Sequence, residues 1–397
     1  MRVGIIGCGT GGQAAAILLA RRGHTVTVFE RAPRLDPLGA GLLLQPPGLT
    51  VLRELNVLDV LRELGTPVHD LVGHTAGGRM VMDLAYGHLH PGLHGLGLQR
   101  AAISAALLDR MHEAQVELHL DTQIVDVRAD DAPARVITSG GEVGPFDLVI
   151  AADGARSTIR GLRGDVRRDR PYRWGALWFI GDDPDGSYGT TLRQIYRGTR
   201  HMIGFLPSGR RALDEPRRVS LFWSLPLAGT DQLVKLDEWK GAVRRLTALA
   251  DPLLEQIRDA SQLIQAPYRD VVLRRSFRGR LVFIGDAAHA MSPQLGQGVN
   301  LALRDASVLA RMIEREPTLD AALSAYERAR RRHVRFYQFA SRWLTPWFQS
   351  ERDLLGLVRD AGFGPMCRVG PTRRQMLRSL AGIKTGVLTH DPLVWPP

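Results

Sequence analysis

Lysine is nearly absent from this chain of 397 residues. Only Lys235, Lys240 and Lys384 occur among 52 basic residues, so arginine carries the formal charge of +11. The arginines are spread along the chain, with one dense cluster (Arg328, Arg330, Arg331, Arg332 and Arg335) on a single predicted helix. No aromatic-interleaved basic module accompanies them, which argues against a nucleic-acid partner. Cysteine is scarce too. Cys8 and Cys367 cannot build a disulfide framework, and a reducing cytoplasm is the expected compartment. No run of 18 apolar residues occurs, so no membrane span is expected. Arg2, a short apolar stretch and Ala14-Ala15-Ala16 superficially mimic a signal peptide, but the glycines among them fall in a strand–loop–helix pattern. Repeats and low-complexity linkers are missing. At 44% apolar and 23% charged residues, the chain reads as an ordinary globular protein of two connected domains.

What is present starts at once. Residues 3–6 form a short buried strand, and Gly7-Cys8-Gly9-Thr10-Gly11-Gly12 matches G-x-G-x-x-G. Residues 13–22 form a helix stopped by Gly23, and Thr25–Phe29 is a second strand ending at Glu30. This is a complete β-α-β dinucleotide-binding unit. Gly7 makes the tight turn, Gly9 lets the backbone approach a pyrophosphate, and Gly12 packs helix on strand. Glu30 is placed to accept from both hydroxyls of an adenosine ribose, which favours FAD or NAD over a 2′-phosphorylated ligand. Arg31 would cover the adenine or its phosphates.

Two more strands end in an acid. Residues 146–150 run into Asp153-Gly154-Ala155-Arg156-Ser157-Thr158-Ile159-Arg160. There Asp153 either caps the next helix or backs a pyrophosphate site, with Arg156 and Arg160 available to phosphates. Residues 281–284 end at Gly285-Asp286, and a loop with Pro293, Gly296 and Gly298 opens a further helix. A strand-end acid accepts from sugar hydroxyls, and the free N–H groups of a helix start face partial negative charge. The plainer alternative is that Asp286 caps a short helix and the glycines make turns. Between the second and third stations, residues 172–265 turn to aromatic-rich strands joined by Gly/Asp/Pro turns. The expected fold class is α/β. A Rossmann-like domain comes from residues 1–70, 97–171 and 268–345, and an inserted antiparallel-sheet domain from 71–96 and 172–267. A helical C-terminal extension covers 346–397. His88, His90 and His94 lie in a Gly/Pro-rich stretch without helical ligand spacing, read as loop, and no metal site is expected.

The three stations, in this order and with a sheet inserted between the last two, resemble the group A flavoprotein monooxygenases. This is the para-hydroxybenzoate hydroxylase-like family, with its salicylate and ubiquinone-pathway hydroxylases. The resemblance implies FAD, its ADP half on residues 7–12, with Arg100 in contact with it and Asp286 on the ribityl chain. It places Asp153, Ser157 and Arg160 near both FAD and NAD(P)H, and Pro293 beside the flavin ring. The N–H groups of Gly298, Val299 and Asn300 would stabilise the negative charge left by flavin reduction. The implied chemistry is flavin reduction by NAD(P)H, formation of a flavin hydroperoxide from O2, and hydroxylation or epoxidation of a small aromatic or polyketide-like substrate. Water must be excluded, and an apolar pocket between sheet and flavin would do so. Leu44, Trp174, Trp178, Tyr196, Met202, Phe205 and Trp223 are pocket candidates, each equally suited to core packing. Tyr196 and His201 have the chemistry to deprotonate a phenol, though His201 also reads as an ordinary strand histidine. His289 is expected in a structural or flavin-adjacent role. A basic surface would draw in a polyanionic nicotinamide cofactor by its field. The expected partners are a small molecule and O2, for a monomer or homodimer. A long thioredoxin-like C-terminal domain and the Trp-x-Trp-x-Ile-Pro signature of halogenases are missing, the latter arguing against chlorination.

Two other readings stay open. An FAD-dependent reductase or dehydrogenase on the same fold would need no oxygen. A non-enzymatic protein would use the aromatic helix holding Phe336, Tyr337, Phe339, Trp343, Trp347 and Phe348 to dock a membrane or partner. Packing of that helix on the chain's own substrate domain, or on a second subunit, fits its amphipathic pattern better.

Overall fold

The computed structural model describes residues 1–35, 41–130, 133–227 and 235–395. The strands Arg2–Ile6 and Leu148–Ala151 are buried along nearly their whole length. Strands buried on both faces cannot alternate polar and apolar residues, and they pair in parallel beneath helices. These two form the centre of a six-stranded sheet in the order Phe277–Arg278, Leu281–Phe283, Leu148–Ala151, Arg2–Ile6, Thr25–Phe29, Glu117–His119. Every neighbouring pair is parallel except the short edge strand Phe277–Arg278 on Leu281–Phe283. The loops that follow Ile6, Phe29, Ala151 and Phe283 therefore all leave the sheet at one carboxyl edge, where open parallel sheets bind their ligands. Over this sheet the helices Thr10–Ala20 and Gly298–Arg315 touch closely. A Cβ on Gly11 would stand 3.2 Å from the Cβ of Ala302.

The inserted sheet has seven strands, in the order Ile264–Leu273, Val166–Asp182, Arg218–Pro226, His201–Pro207, Thr191–Arg197, Asp70–Thr75, Met80–Ala85. One pair departs from the antiparallel expectation. Asp70–Thr75, which opens the first segment of this sheet, runs parallel to Thr191–Arg197. One face of the sheet, with Ile203, Phe205 and Trp223, packs under Trp239 and Val243 of helix Leu236–Arg244. The other, with Tyr196, Met202, Leu206 and Phe222, packs against Leu43 and against Phe348, Leu377 and Leu380 of the C-terminal helices.

A small sheet of Gly41–Leu44, Gly95–Gln99 and Thr66–Val68 lies at the junction. Residues 95–99 thus form a strand at the end of the stretch read as loop. Its glycines hid it, and they are there because neighbours crowd in: a Cβ on Gly97 would stand 1.9 Å from the carbonyl oxygen of Pro207. The long helix Leu319–Phe348 buries Tyr337 and Phe348 against the chain and leaves Phe339 and Trp343 exposed. Helices Asp353–Arg368 and Gly370–Leu380 follow it. Among the described residues no helix is long and apolar enough to cross a membrane.

Candidate active site

At the carboxyl edge, the Gly7 N–H donates to the Phe29 carbonyl at 2.8 Å and closes the first turn. Gly12 lies so close beneath it that a Cβ there would stand 2.0 Å from the Gly7 carbonyl oxygen. At Gly9 the same added atom would meet nothing within 4 Å, so this backbone faces open space. Helix Thr10–Ala20 begins here without a side-chain cap, leaving its first N–H groups free for a ligand oxygen. Glu30 accepts from the N–H groups of Cys8 (2.8 Å) and Ala32 (3.0 Å), one on each oxygen. The carboxylate thereby holds the glycine loop and keeps further lone pairs for a ribose. Burial, and then Glu30, push the Cys8 thiol up to about 12, so it is no nucleophile at neutral pH. Arg31 and Arg100 are exposed, Arg100 as the first residue of helix Arg100–Glu113.

At the second station, Ser157 and not Asp153 caps helix Thr158–Arg163, accepting from the Arg160 N–H at 2.9 Å. Asp153 is left with one oxygen 3.4 Å from the Ile159 nitrogen and the other buried without a partner. Arg160, expected to face phosphates, is instead 1% exposed. Its guanidinium donates to Asp169 (2.9 Å), to the Ala155 carbonyl (2.7 Å) and to the Ala287 carbonyl (3.1 Å). A fork whose three nitrogens all rest on protein oxygens positions the second and third stations against each other and does not reach out to a phosphate.

The third station shows why the capping alternative fails for Asp286. The cap of the short helix Asp286–His289 is Gly285, held at φ +58° and making no side-chain cap bond. Asp286 is exposed, and its carboxylate has no partner among the described residues. It lies 3.7 Å from where a Cβ on Gly298 would stand. At Gly298 the second long helix, Gly298–Arg315, starts without a side-chain cap, and its backbone ladder begins at the Leu301 N–H. The N–H groups of Gly298, Val299 and Asn300 are therefore open. The Asn300 side chain turns inward, accepting from Gln45 N–H (2.8 Å) and donating to the Leu43 carbonyl (3.2 Å). Pro293 is exposed at the start of the loop. Gln294 donates to Gln349 (2.9 Å), which donates to Ser224 of the inserted sheet (3.0 Å). Gln297 donates to the Leu380 carbonyl at 2.8 Å, tying the loop to the C-terminal segment.

Sequence comparison decides what this edge serves. A family model described as FAD binding domain matches residues 1–338. The chain is 31% identical over 380 residues to kynurenine 3-monooxygenase of Salinispora arenicola, covering 84% of this chain and 77% of that one. The chain belongs to the FAD-dependent monooxygenases. The 2-heptyl-3-hydroxy-4(1H)-quinolone synthase of Pseudomonas aeruginosa is 28% identical over 382 residues, covering 91% of this chain and 95% of its own. The structure of Klebsiella pneumoniae HpxO complexed with FAD and uric acid shares the fold, with a TM-score of 0.79 at 21% identity over 96% of each chain. This monooxygenase uses FAD and takes its electrons from NAD(P)H, and the reductase alternative finds no support among its relatives. The residues fit FAD: an open backbone at Gly9, a buried unpartnered oxygen on Asp153, the unpaired Asp286 and two uncapped helix starts.

Beneath the third station the monooxygenase carries a buried ionic chain that sequence reasoning missed. Asp305, 0% exposed, accepts from the Gly285 N–H (2.8 Å), from His289 Nε2 (2.6 Å) and from Arg330 Nε (2.6 Å). His289 is thus structural. Arg330 also donates to His333 Nδ1 (2.8 Å), and His333 Nε2 donates to the Gly382 carbonyl (2.8 Å). Burial alone would raise the Asp305 pKa. The charges of His289 and Arg330, with bonds from His289 and Gly285, outweigh it and hold the carboxyl well below the usual range. Burial, then the charges of Arg330 and Arg304, push His333 well below its ordinary 6.5. The folded His333 stays neutral where the unfolded chain binds a proton. Stability is therefore lost as pH falls below the unfolded value, at about 1.4 kcal/mol per pH unit for this one group. Replacing His333 with glutamine, which can accept from Arg330 and donate to Gly382, is expected to flatten that slope between pH 7 and about 5.5. Urea denaturation across this range measures it, and equal slopes in the two proteins would contradict the assignment.

Neither candidate base stands in the site. Tyr196 is wholly buried between Phe348 and Arg359, whose guanidinium lies 4.6 Å from the ring centroid, and its hydroxyl donates to Gln194. Burial pushes this phenol upward, with Arg359 opposing only in part, so it cannot take a proton near neutral pH. His201 shares the strand face of Ile203 and Phe205, with its ring 5.7 Å from Trp223, on the side away from the C-terminal helices. Burial, Arg197 and Arg200 lower its pKa. Phe205 and Trp223 lie on that same far face, and Leu44 belongs to the core of the dinucleotide domain. Trp178, Phe222 and Met202 remain on the near face, the two rings 5.1 Å apart.

Proposed function

We propose that this monooxygenase inserts one atom of O2 into a small, electron-rich aromatic substrate, which enters between residues 293–300 and the near face of the inserted sheet. Residues 71–96 and 172–267 would form the substrate domain. One observation carries the reading. Two long helices, Thr10–Ala20 and Gly298–Arg315, begin uncapped at the same edge, with the unpaired Asp286 carboxylate beside the second start. Open N–H groups match phosphate and carbonyl oxygens, and a free acceptor matches hydroxyls. Bound FAD would supply the electron storage and the oxygen chemistry. The chain's own work is to hold and shield. Glu30 accepts from ribose hydroxyls, and Asp286 accepts from the ribityl chain. The N–H groups of Gly298, Val299 and Asn300 stabilise negative charge at the ring. The Gln294–Gln349–Ser224 bonds fix this loop against the sheet, while Trp178, Phe222 and Met202 exclude water. The names of the kynurenine and quinolone relatives support an aromatic substrate.

The test is substrate-stimulated oxidation of NADH or NADPH under isotopically labelled oxygen, with one labelled atom expected in the product. Product formed under argon would overturn the reading. Asp286→Ala is expected to weaken FAD binding about 10- to 100-fold, the equivalent of about 1.5–3 kcal/mol for hydrogen bonds to a charged acceptor. Flavin absorbance of the purified variant checks this. A full yellow complement would contradict the ribityl role.

A further inference from the structure

The last turn of helix Asp286–His289 lines a second cleft, of about 640 Å³, against the strands Val166–Asp182 and Ile264–Leu273 and the long helix Leu319–Phe348. Eight arginines line it, facing two lining acids, Asp305 and Glu327. Four of the arginines are paired. Arg168 and Arg342 share the buried Asp270, Arg330 holds Asp305, and Arg274 holds Asp165. Glu327 accepts from the Ser276 N–H at 2.9 Å. Arg167, Arg170, Arg331 and Arg335 are exposed and have no acid or hydrogen-bond partner among the described residues. Two further atoms in the lining are unused: Ser276 Oγ and His289 Nδ1 are buried without partners, His289 being 3% exposed.

Unpaired guanidiniums around one concavity repel each other and sum to a strong positive potential. Their planar forks match phosphate oxygens two at a time. The volume is that of a pocket for a nucleotide-sized ligand. This enzyme needs two dinucleotides, yet the glycine-rich turn at residues 7–12 serves FAD, so the reductant requires another phosphate-binding surface. We propose that the arginine cleft binds the phosphate groups of the reducing pyridine nucleotide. The cleft and the flavin edge share the short helix Asp286–His289, whose first residue faces Gly298 and whose last lines the cleft. The inference rests on the NAD(P)H requirement of the family.

The test uses binding and not turnover. FAD-loaded protein is titrated calorimetrically with NADP⁺, as wild type and as the double variant Arg331→Gln/Arg335→Gln, whose two positions are exposed and lie outside the Asp305 chain. The double variant is expected to keep its flavin and its melting temperature while its Kd for NADP⁺ rises at least about tenfold. Added salt should weaken the wild type more than the variant. Inorganic tripolyphosphate should compete with NADP⁺ in the wild type. The proposal is overturned if wild type does not bind NADP⁺, or if the variant binds it unchanged. A variant that loses tripolyphosphate but keeps NADP⁺ also overturns it and makes the cleft a site for a free polyphosphate. None of these outcomes touches the oxygen-incorporation test, so failure of this inference and failure of the monooxygenase reading are distinguishable.

Discussion

Gly12→Ala is expected to destabilise the protein by about 3 kcal/mol and to abolish its flavin colour. The added Cβ would stand 2.0 Å from the Gly7 carbonyl oxygen and 3.5 Å from the Ala152 Cβ. Both the carbonyl and the helix behind Gly12 are fixed. Gly7 is bonded to Phe29, and helix Thr10–Ala20 buries Ala14, Ala15, Ile17, Leu18 and Leu19 in the domain core. A side chain could swing away, but backbone against backbone can separate only by lifting the helix. Gly9 gives the matched control. Its added atom meets open space, so Gly9→Val should melt like the flavin-free wild type and still purify colourless, because the new side chain occupies the room a pyrophosphate needs. Thermal melts and flavin-to-protein absorbance ratios separate the two. A yellow Gly12→Ala protein with a normal melt would refute the packing account.

Asp305→Ala is expected to cost more, about 3–5 kcal/mol, since it strands the buried charge of Arg330. It also takes the acceptor from the Gly285 N–H, and with it the support that aims Asp286. A double change, Asp305→Leu with Arg330→Met, should recover part of the loss, because it removes the stranded charge, while the Gly285 N–H, His289 Nε2 and His333 Nδ1 still lose their partners. Urea titrations of the three proteins decide it, and a single variant as stable as the wild type would contradict the network. The pH behaviour follows its own sign. A depressed carboxyl contributes stability that is complete above its unfolded value near 3.9 and is lost only as pH falls through the still lower folded value. Destabilisation that begins below pH 6.5 therefore comes from the histidines whose pKa the fold lowers, His333 foremost with His24, His94 and His201, and not from Asp305.

The parts of the site legible in the sequence are those whose geometry is local. Gly7 to Glu30 is one continuous β-α-β unit, and Gly285-Asp286 and Asp153-Gly154 each end a strand. The parallel sheet then places all three at one edge. The missed parts depend on partners far along the chain. Alternation puts Tyr196 and Met202 on one face, but only the C-terminal helices make that face a closed core at Tyr196. His201 and Phe205 fall on the opposite face for the same reason of register. Arg160 looked like any other arginine near a phosphate loop until Asp169 and the Ala287 carbonyl claimed it. Arg330 carried a signal that could have been used. Tyr326, Arg330, His333 and Tyr337 recur at helical spacing and form one buried stripe of Leu319–Phe348, while their basic neighbours Arg331, Arg332 and Arg335 point to solvent.

The tie between Gln297 and Leu380, with that between His333 and Gly382, bears on how the protein is made. The glycine loop leaves the ribosome early, whereas Asp286 follows roughly 250 residues later, a delay on the order of half a minute at ordinary synthesis rates. The loop at residues 293–300 then receives its Gln297 anchor only when residue 380 arrives, after its Gln349 and Gln45 ties. Half of the cofactor cradle waits, unfilled, for the other half. Tight flavin capture is thus a late event in biosynthesis, and a nascent chain halted before residue 380 should be released colourless.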